Sequence, residues 1–409
     1  MKEKALFNWS NKRMGKRVTV YLLIIIGTFI LAACNGSEQA ASVPENSADV
    51  AAQDSAEIPD GFVTEAKARV EQATEPAEVW DGPTSGPVAQ TNKLIVYVAS
   101  DLRNGGVLGV SEGVQEAGDA IGWEIRILDG RGTESGRQIA LEEALSLNPD
   151  GIVIGGFDAN EHKALMDQAN AAGIVMVGWH VAADPGPVAN SPVFANISSD
   201  SKDVAEIAAL FAVSDSNGKG GVVIFTDSNF EVALAKSDFM KEIIEACKSC
   251  QLLSVEDVSL ADTSLQMPDR ITDLYNQFGN DWDYSLGIND LYFDFGAPSI
   301  QLAFGSADNG PKSLSAGDGS ISAYQRIRTQ EGQVGTVPEP LKLHGWQVVD
   351  ELNRAFAGEE WSGYVTPVHL VINENIGFDG GPSNVYDPEN GYQEAYQKIW
   401  RGEVVSRSN

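Results

Sequence analysis

The long central part of this chain alternates between two hydrophobic periods, and that alternation restricts the fold more than any other feature. Four short apolar runs, KLIVYVA (93–99), WEIRILD (123–129), DGIVIGG (150–156) and GIVMVGW (173–179), are bounded by Gly, Asp or Pro. Between them lie the amphipathic stretches VLGVSEGVQEAGDAIG (107–122), SGRQIALEEALSL (135–147) and NEHKALMDQANAAG (160–173). Strand-length runs alternating with helix-length patterns are the mark of βαβ units on a parallel sheet. Val107, Val110, Val114, Ala117 and Ile121 share one helical face, as packing on such a sheet requires.

A second cycle starts after VFANISSDS (193–201) and repeats the rhythm through GGVVIFTD (220–227), YSLGIND (284–290) and KSLSAGDG (312–319). Two similarly built α/β lobes are therefore expected. The closing stretch runs extended, helix, extended (333–358, then 363–376), a pattern suited to crossing back and forth between lobes.

The first segment reads as a targeting signal rather than as part of the fold. Lys2, Lys4, Lys12, Arg13, Lys16 and Arg17 precede the apolar run VTVYLLIIIGTFILAA (18–33). The run is shorter than the roughly 20 residues of a spanning helix. LAAC (31–34) resembles the lipobox of bacterial lipoproteins, in which cleavage leaves Cys34 as the lipid-bearing first residue. Residues 35–60 are poor in aromatics and rich in Ala, Ser, Glu and Asp, the composition of a tether. GFVTEAKARVEQATEP (61–76) predicts a short helix and VWDGPTSGP (79–87) a connection, with the globular part starting near Lys93.

Charge narrows the partners. With 28 Lys+Arg against 58 Asp+Glu the chain carries a net charge of -30, which repels nucleic-acid phosphates and anionic lipid surfaces alike. Of three cysteines, Cys34 is assigned to lipid, which leaves Cys247 and Cys250 as an even pair in an oxidising compartment. Their C-x-x-C ends a helical pattern instead of opening one, so a structural disulfide is favoured over a thiol activated at a helix N-terminus.

In an open parallel sheet, ligands bind beyond the carboxyl ends of the strands. The residues just after each apolar run are Asp101, Arg103 and Asn104, then Phe157 and Asp158, then Trp179 and His180. In the second cycle they are Asp227, Asn229 and Phe230, then Asn289 and Asp290, then Asp318, with Glu339 after VGTVP. Each Asp or Asn alone is equally well explained as a cap or turn residue. Their recurrence in both halves has a further use: carboxylates accept from adjacent hydroxyls, amides donate and accept, and aromatic rings cover C–H faces. Sugars and polyols present those groups.

The order of YVASDLRNGG, GIVIGGFDAN, ANISSDSKDVAEIAALF, LGIND, LSAGDGS and GTVPEP resembles the periplasmic type I solute-binding proteins of ATP-driven sugar importers, the ribose and xylose group, over roughly residues 93–402. The resemblance implies an α/β fold of two doubly wound parallel-sheet lobes joined by a three-strand hinge near Ser198, Pro338 and Pro367 (periplasmic binding protein-like I). It implies a first lobe of 93–198 plus 340–367 and a second of 199–339 plus 368–409, after a signal peptide (1–33) and a tether with a short helix (34–92). It implies ligand contacts from Asp101, Arg103, Asn104, Asn289, Asp318 and Glu339. Three positions depart from the family pattern: Trp179-His180 replaces an Asp-Arg pair, Ala235 and Lys236 stand where an Arg is frequent, and Glu339 stands where an amide is common.

The implied activity is to bind a sugar or polyol, close around it, and hand it to ABC permease subunits driven by a cytoplasmic ATPase. The protein is then an extracytoplasmic, lipid-anchored monomer without cofactor or metal. Two other classes compete. A sensory module feeding a chemoreceptor or sensor kinase would share the fold. A carbohydrate-acting enzyme would need machinery that four histidines and the absence of H-E-x-x-H, Walker A or G-x-S-x-G patterns do not supply.

Overall fold

The computed structural model describes residues 61–406. The expected export signal, the expected lipid site at Cys34 and the expected tether up to residue 60 lie outside the described residues.

Helix α1 (Gly61–Ala73) precedes the first sheet. Strands β1 (Leu94–Ala99), β2 (Glu124–Asp129), β3 (Gly151–Gly155), β4 (Val175–Trp179) and β5 (Asn196–Ile197) form that sheet in the order β2-β1-β3-β4-β5, all parallel. The crossovers are α2 (Gly105–Ile121), α3 (Glu134–Ser146) and α4 (Lys163–Ala171). Residues Ile95 to Ala99 are fully buried, which is why β1 reads as an unbroken apolar run. Val107, Val110, Val114 and Ala117 form the buried face of α2, as their spacing predicts. Asn104 caps that helix, its Oδ1 accepting from Gly106 N (2.8 Å) and Val107 N (3.3 Å).

The second lobe repeats the scheme. It contains α5 (Ser201–Asp215), β6 (Gly221–Thr226), α6 (Glu231–Ala246), β7 (Gln251–Asp257), α7 (Thr263–Phe278), β8 (Tyr284–Gly287), α8 (Leu291–Phe304), β9 (Lys312–Ser315), α9 (Ile321–Thr329) and β10 (Gln333–Thr336). Its sheet runs β11-β10-β9-β8-β6-β7, where the short β11 (Val371–Ile372) is the antiparallel edge. Both sheets thus reverse direction beside their first strand, between β1 and β3 and between β6 and β8. Such switch points open crevices at the carboxyl ends of strands.

Helix α10 (Leu341–Ala357) returns to the first lobe and packs on α2. Glycine permits the approach: a Cβ on Gly345 would stand 2.4 Å from the Gly113 backbone. Beyond β11 come α11 (Ile376–Asp379) in the second lobe and α12 (Tyr392–Trp400). The C-terminal stretch was expected to stay with the second lobe, yet α12 joins the first. Tyr392, Tyr396, Ile399 and Trp400 bury themselves against Trp346 of α10, with the Trp346 and Trp400 rings stacked at 5.4 Å.

Residues 61–92 likewise differ from a simple linking stretch. Val63, Ala66 and Ala73 of α1 belong to the second lobe's core, and Arg69 pairs with Glu206 at 2.7 Å. Trp80 then enters the first lobe's aromatic cluster, 5.4 Å from Tyr364 and 5.2 Å from Tyr396. Arg354 Nη2 donates to Ser85 O and Asn353 Nδ2 to Pro87 O, fixing the following loop. Besides the three anticipated crossings, this arm and the stretch before α12 also pass between lobes.

Cys247 and Cys250, at the end of α6, are joined by a disulfide.

Candidate functional site

Between the two switch points lies a cavity of about 460 Å³ whose wall comes from both lobes. At the end of β1, Asp101 and Asn104 reach it, while Arg103 turns outward with its side chain 70% exposed and holds Asp101 at 2.6 Å. Capping occupies the Asn104 Oδ1 and makes no use of the side-chain amide nitrogen. From β4 come Trp179 and His180, their rings stacked 3.9 Å apart. His180 adopts φ 54°, a left-handed conformation that costs a bulky residue on the order of 1 kcal/mol or more and that its neighbours must enforce.

The second lobe supplies Asn229 and Phe230 after β6, Asn289 after β8 and Asp318 after β9. Asp227 Oδ1 accepts from the Asn229 side chain at 2.7 Å, and Asn289 Nδ2 donates to Asp318 Oδ2 at 2.5 Å. Burial raises the Asp318 pKa, opposed by the positive fields of His180 and Lys236.

Besides Arg103, four anticipated residues do not reach the cavity wall. Phe157 is completely buried, its ring 5.8 Å from the Arg137 guanidinium. Asp158 closes a turn by accepting from Asn160 N at 2.7 Å. Asp290 sits behind the site: it accepts from Gly319 N, Ser320 N and Gln333 Nε2, and burial pushes its pKa up to about 6. It shapes the loop that carries Asp318. Glu339 lies in the second lobe crossing with a fully buried side chain, beneath the cavity floor instead of at its surface.

Two cations at the wall lie outside the strand-end loops. Arg137 of α3 forms a bidentate pair with Glu161 (2.7 and 2.9 Å), and Lys236 of α6 is 2% exposed with Nζ 3.4 Å from Glu339 Oε1. Each falls on the buried face of its helix, Arg137 with Ala140, Leu141 and Ala144, Lys236 with Ala233 and Met240. A charge at an apolar helical position was the available signal.

Beneath the floor runs a closed polar circuit. Glu339 takes His180 Nε2 at 2.8 and 2.9 Å and Ser199 N at 3.4 Å. Ser199 Oγ meets Thr366 Oγ1 at 2.7 Å, Thr366 meets His344 Nε2 at 2.8 Å, and the Trp179 indole N–H donates to His344 Nδ1 at 3.2 Å. The indole is only a donor, so His344 Nδ1 is the acceptor and Nε2 carries the proton. Burial lowers the His344 pKa to about 4 against the pull of Glu339, consistent with that neutral ring. Burial also opposes ionisation of Glu339, yet His180 and Lys236 outweigh it and hold the carboxyl well below the usual range. All three expected hinge segments therefore meet in one network.

His180, Asp318 and Glu339 bring one ligand atom each within 4.8 Å, a spacing a metal ion could use. Lys236 already stands against the same carboxylates and supplies that positive charge. The site as built is a polar floor with acceptors and donors from both lobes.

Two facing doubly wound lobes, an interlobe cavity and a multi-segment hinge define a two-lobe ligand-binding protein. The chain belongs to the periplasmic binding protein domain family, whose model matches residues 95–360. No curated protein matches it in sequence. Solved structures share the fold: an ABC sugar transporter subunit from Rhodobacter sphaeroides (19% identity, TM-score 0.58, 69% of this chain and 99% of that one), a solute-binding protein from Agrobacterium vitis with bound allitol (18%, 0.58, 70% and 97%), and a sugar ABC transporter protein from Yersinia enterocolitica (15%, 0.63, 78% and 100%).

Proposed function

We propose that this chain is the extracytoplasmic substrate-binding protein of an ABC importer, anchored to the membrane through lipid on Cys34, which takes a sugar or related polyol into the interlobe cleft and delivers it unaltered to the permease. The observation that carries this reading is the convergence of Asp101, Asn104, Asn229, Asn289 and Asp318 from opposite lobes on one cavity of about 460 Å³, in the size range of small-molecule sites. Allitol, held by the Agrobacterium vitis protein, is a molecule of the proposed kind.

Closure follows from that geometry. A ligand touching both walls stabilises the closed arrangement only through contacts it makes there and not in the open one. Each hydrogen bond to a charged group contributes about 1.5–3 kcal/mol, so a few such contacts suffice once water is excluded. Nothing in this scheme calls for turnover: the carboxylates hold hydroxyls rather than transfer protons.

The test is a thermal-shift screen of the soluble chain, from residue 35 onward, over neutral pentoses, hexoses and polyols. A true ligand at about a hundred times its Kd adds roughly 2.7 kcal/mol of stability. No shift from any compound in the panel would contradict the reading.

A further inference from the structure

The floor of the cleft contains a buried lysine that no ligand needs to neutralise. Lys236 Nζ (second lobe) lies 3.4 Å from Glu339 Oε1, and His180 Nε2 (first lobe) lies 2.8 Å from the same oxygen. One carboxylate on a crossing segment thus clamps a basic side chain from each lobe, and it does so with its own side chain fully buried. Gly317 leaves room for the lysine head: a Cβ there would stand 2.8 Å from Nζ.

Beyond this clamp the cavity wall carries more acid than base. Asp227 and Asp318 line it, Glu134 stands at the first turn of α3, and Arg137 is already committed to Glu161. An anionic ligand entering here would meet carboxylates without an uncommitted cation. A neutral hydroxyl-rich ligand would meet donors and acceptors at no Coulombic cost.

Resting on the carbohydrate-binding reading above, we infer that Glu339 is a specificity-determining residue: by tying up Lys236 and His180 from beneath, it makes the cleft select uncharged sugars or polyols and reject the corresponding sugar acids. Glu339 acts through those two side chains and does not touch the ligand, so it is a positioning residue. Replacing its carboxylate by an amide makes the floor one charge more positive without changing its shape, and leaves Lys236 and His180 with Asp318 as their remaining neighbouring carboxylate, so that an incoming acid is no longer repelled by Glu339 as well.

The experiment uses matched pairs: D-galactose with D-galacturonate, D-glucose with D-gluconate, and D-arabitol with D-arabinonate. Binding is measured by calorimetry for the wild type, Glu339→Gln, and Glu339→Gln combined with Lys236→Met. The wild type should bind a neutral member at least tenfold more tightly than its acid. Glu339→Gln should shift that ratio at least tenfold toward the acid, and the double variant should lose the gain while unfolding at a temperature close to that of the single variant. A wild type that prefers an acid, or a ratio unchanged in Glu339→Gln, overturns the inference while leaving the binding protein intact. A wild type that binds none of the six compounds overturns the carbohydrate reading and the inference with it. If Glu339→Gln does not fold, Lys236→Met alone serves: an unchanged ratio supports prior neutralisation of the lysine, and a loss of acid binding contradicts it.

Discussion

Gly106, in the first turn of α2, lies so near Asp318 of the second lobe that a Cβ on the glycine would stand 2.6 Å from the carboxylate. The two residues come from facing lobes, and the missing side chain is what lets the Asp318 loop settle against the start of α2. Neighbouring Gly105 is similarly close to Ser320, where a Cβ would stand 3.2 Å from the serine.

Gly106→Ala should therefore hinder closure and spare the fold. A helical alanine is otherwise favourable by about 1 kcal/mol over glycine. The ligand-free melting temperature should be unchanged or slightly raised, ligand affinity should fall at least tenfold, and small-angle scattering with saturating ligand should report a wider particle than wild type. Unchanged affinity would mean that Gly106 and Asp318 do not approach in the bound state.

Trp80 should matter to stability although the family match begins only at residue 95. Its ring is 6% exposed among Tyr364 and Tyr396, and its Nε1 donates to Pro83 O at 2.9 Å. Trp80→Ala should cost about 3–5 kcal/mol in chemical denaturation. A loss below about 1 kcal/mol would show that residues 61–92 are only loosely attached.

Glu351 of α10 sets a pH dependence. Burial first, and then the charge of Asp350, push its pKa up to about 8 from 4.5. A raised folded value means its stabilising contribution is full below the unfolded pKa and is lost as pH rises from 4.5 toward 8, by about 1.4 kcal/mol per unit at most. Glu351→Gln keeps an acceptor for Ser362 N, 3.2 Å away in the wild type, and removes the titration. The variant's stability relative to wild type should grow steadily between pH 5 and about 8. Parallel profiles would contradict the burial of an ionisable group there.

The alternation of periods made both lobes legible, because parallel strands covered on both faces must be apolar throughout, as β1, β3 and β6 are. Asp101, Asn104, Asn289 and Asp318 were legible for a geometric reason: strand ends beside a switch point face the crevice whatever their loops do. Asp158 and Asp290 followed the same rule and reached other ends, since a carboxylate after a strand serves a turn or a neighbouring loop equally well, and periodicity does not say which way it turns. Arg137 escaped a search confined to loops because it approaches from a helix face, and Lys236, also on a helix face, surfaced only as a departure from the family pattern. Trp80 was hidden in DGPTSGP-like punctuation, where the packing of a single aromatic ring outweighs a composition that reads as linker.

On the proposed function, both lobes hold one hydroxyl-rich molecule and release it chemically unchanged. Equilibrium dialysis of the soluble chain against a mixture of neutral pentoses, hexoses and polyols, with NMR identification of what is retained, tests it directly. The expected result is one compound retained at one per protein, identical in spectrum to the compound supplied, and no retention by Asp318→Ala. Retention of nothing, equal retention by Asp318→Ala, or recovery of a converted sugar would contradict it.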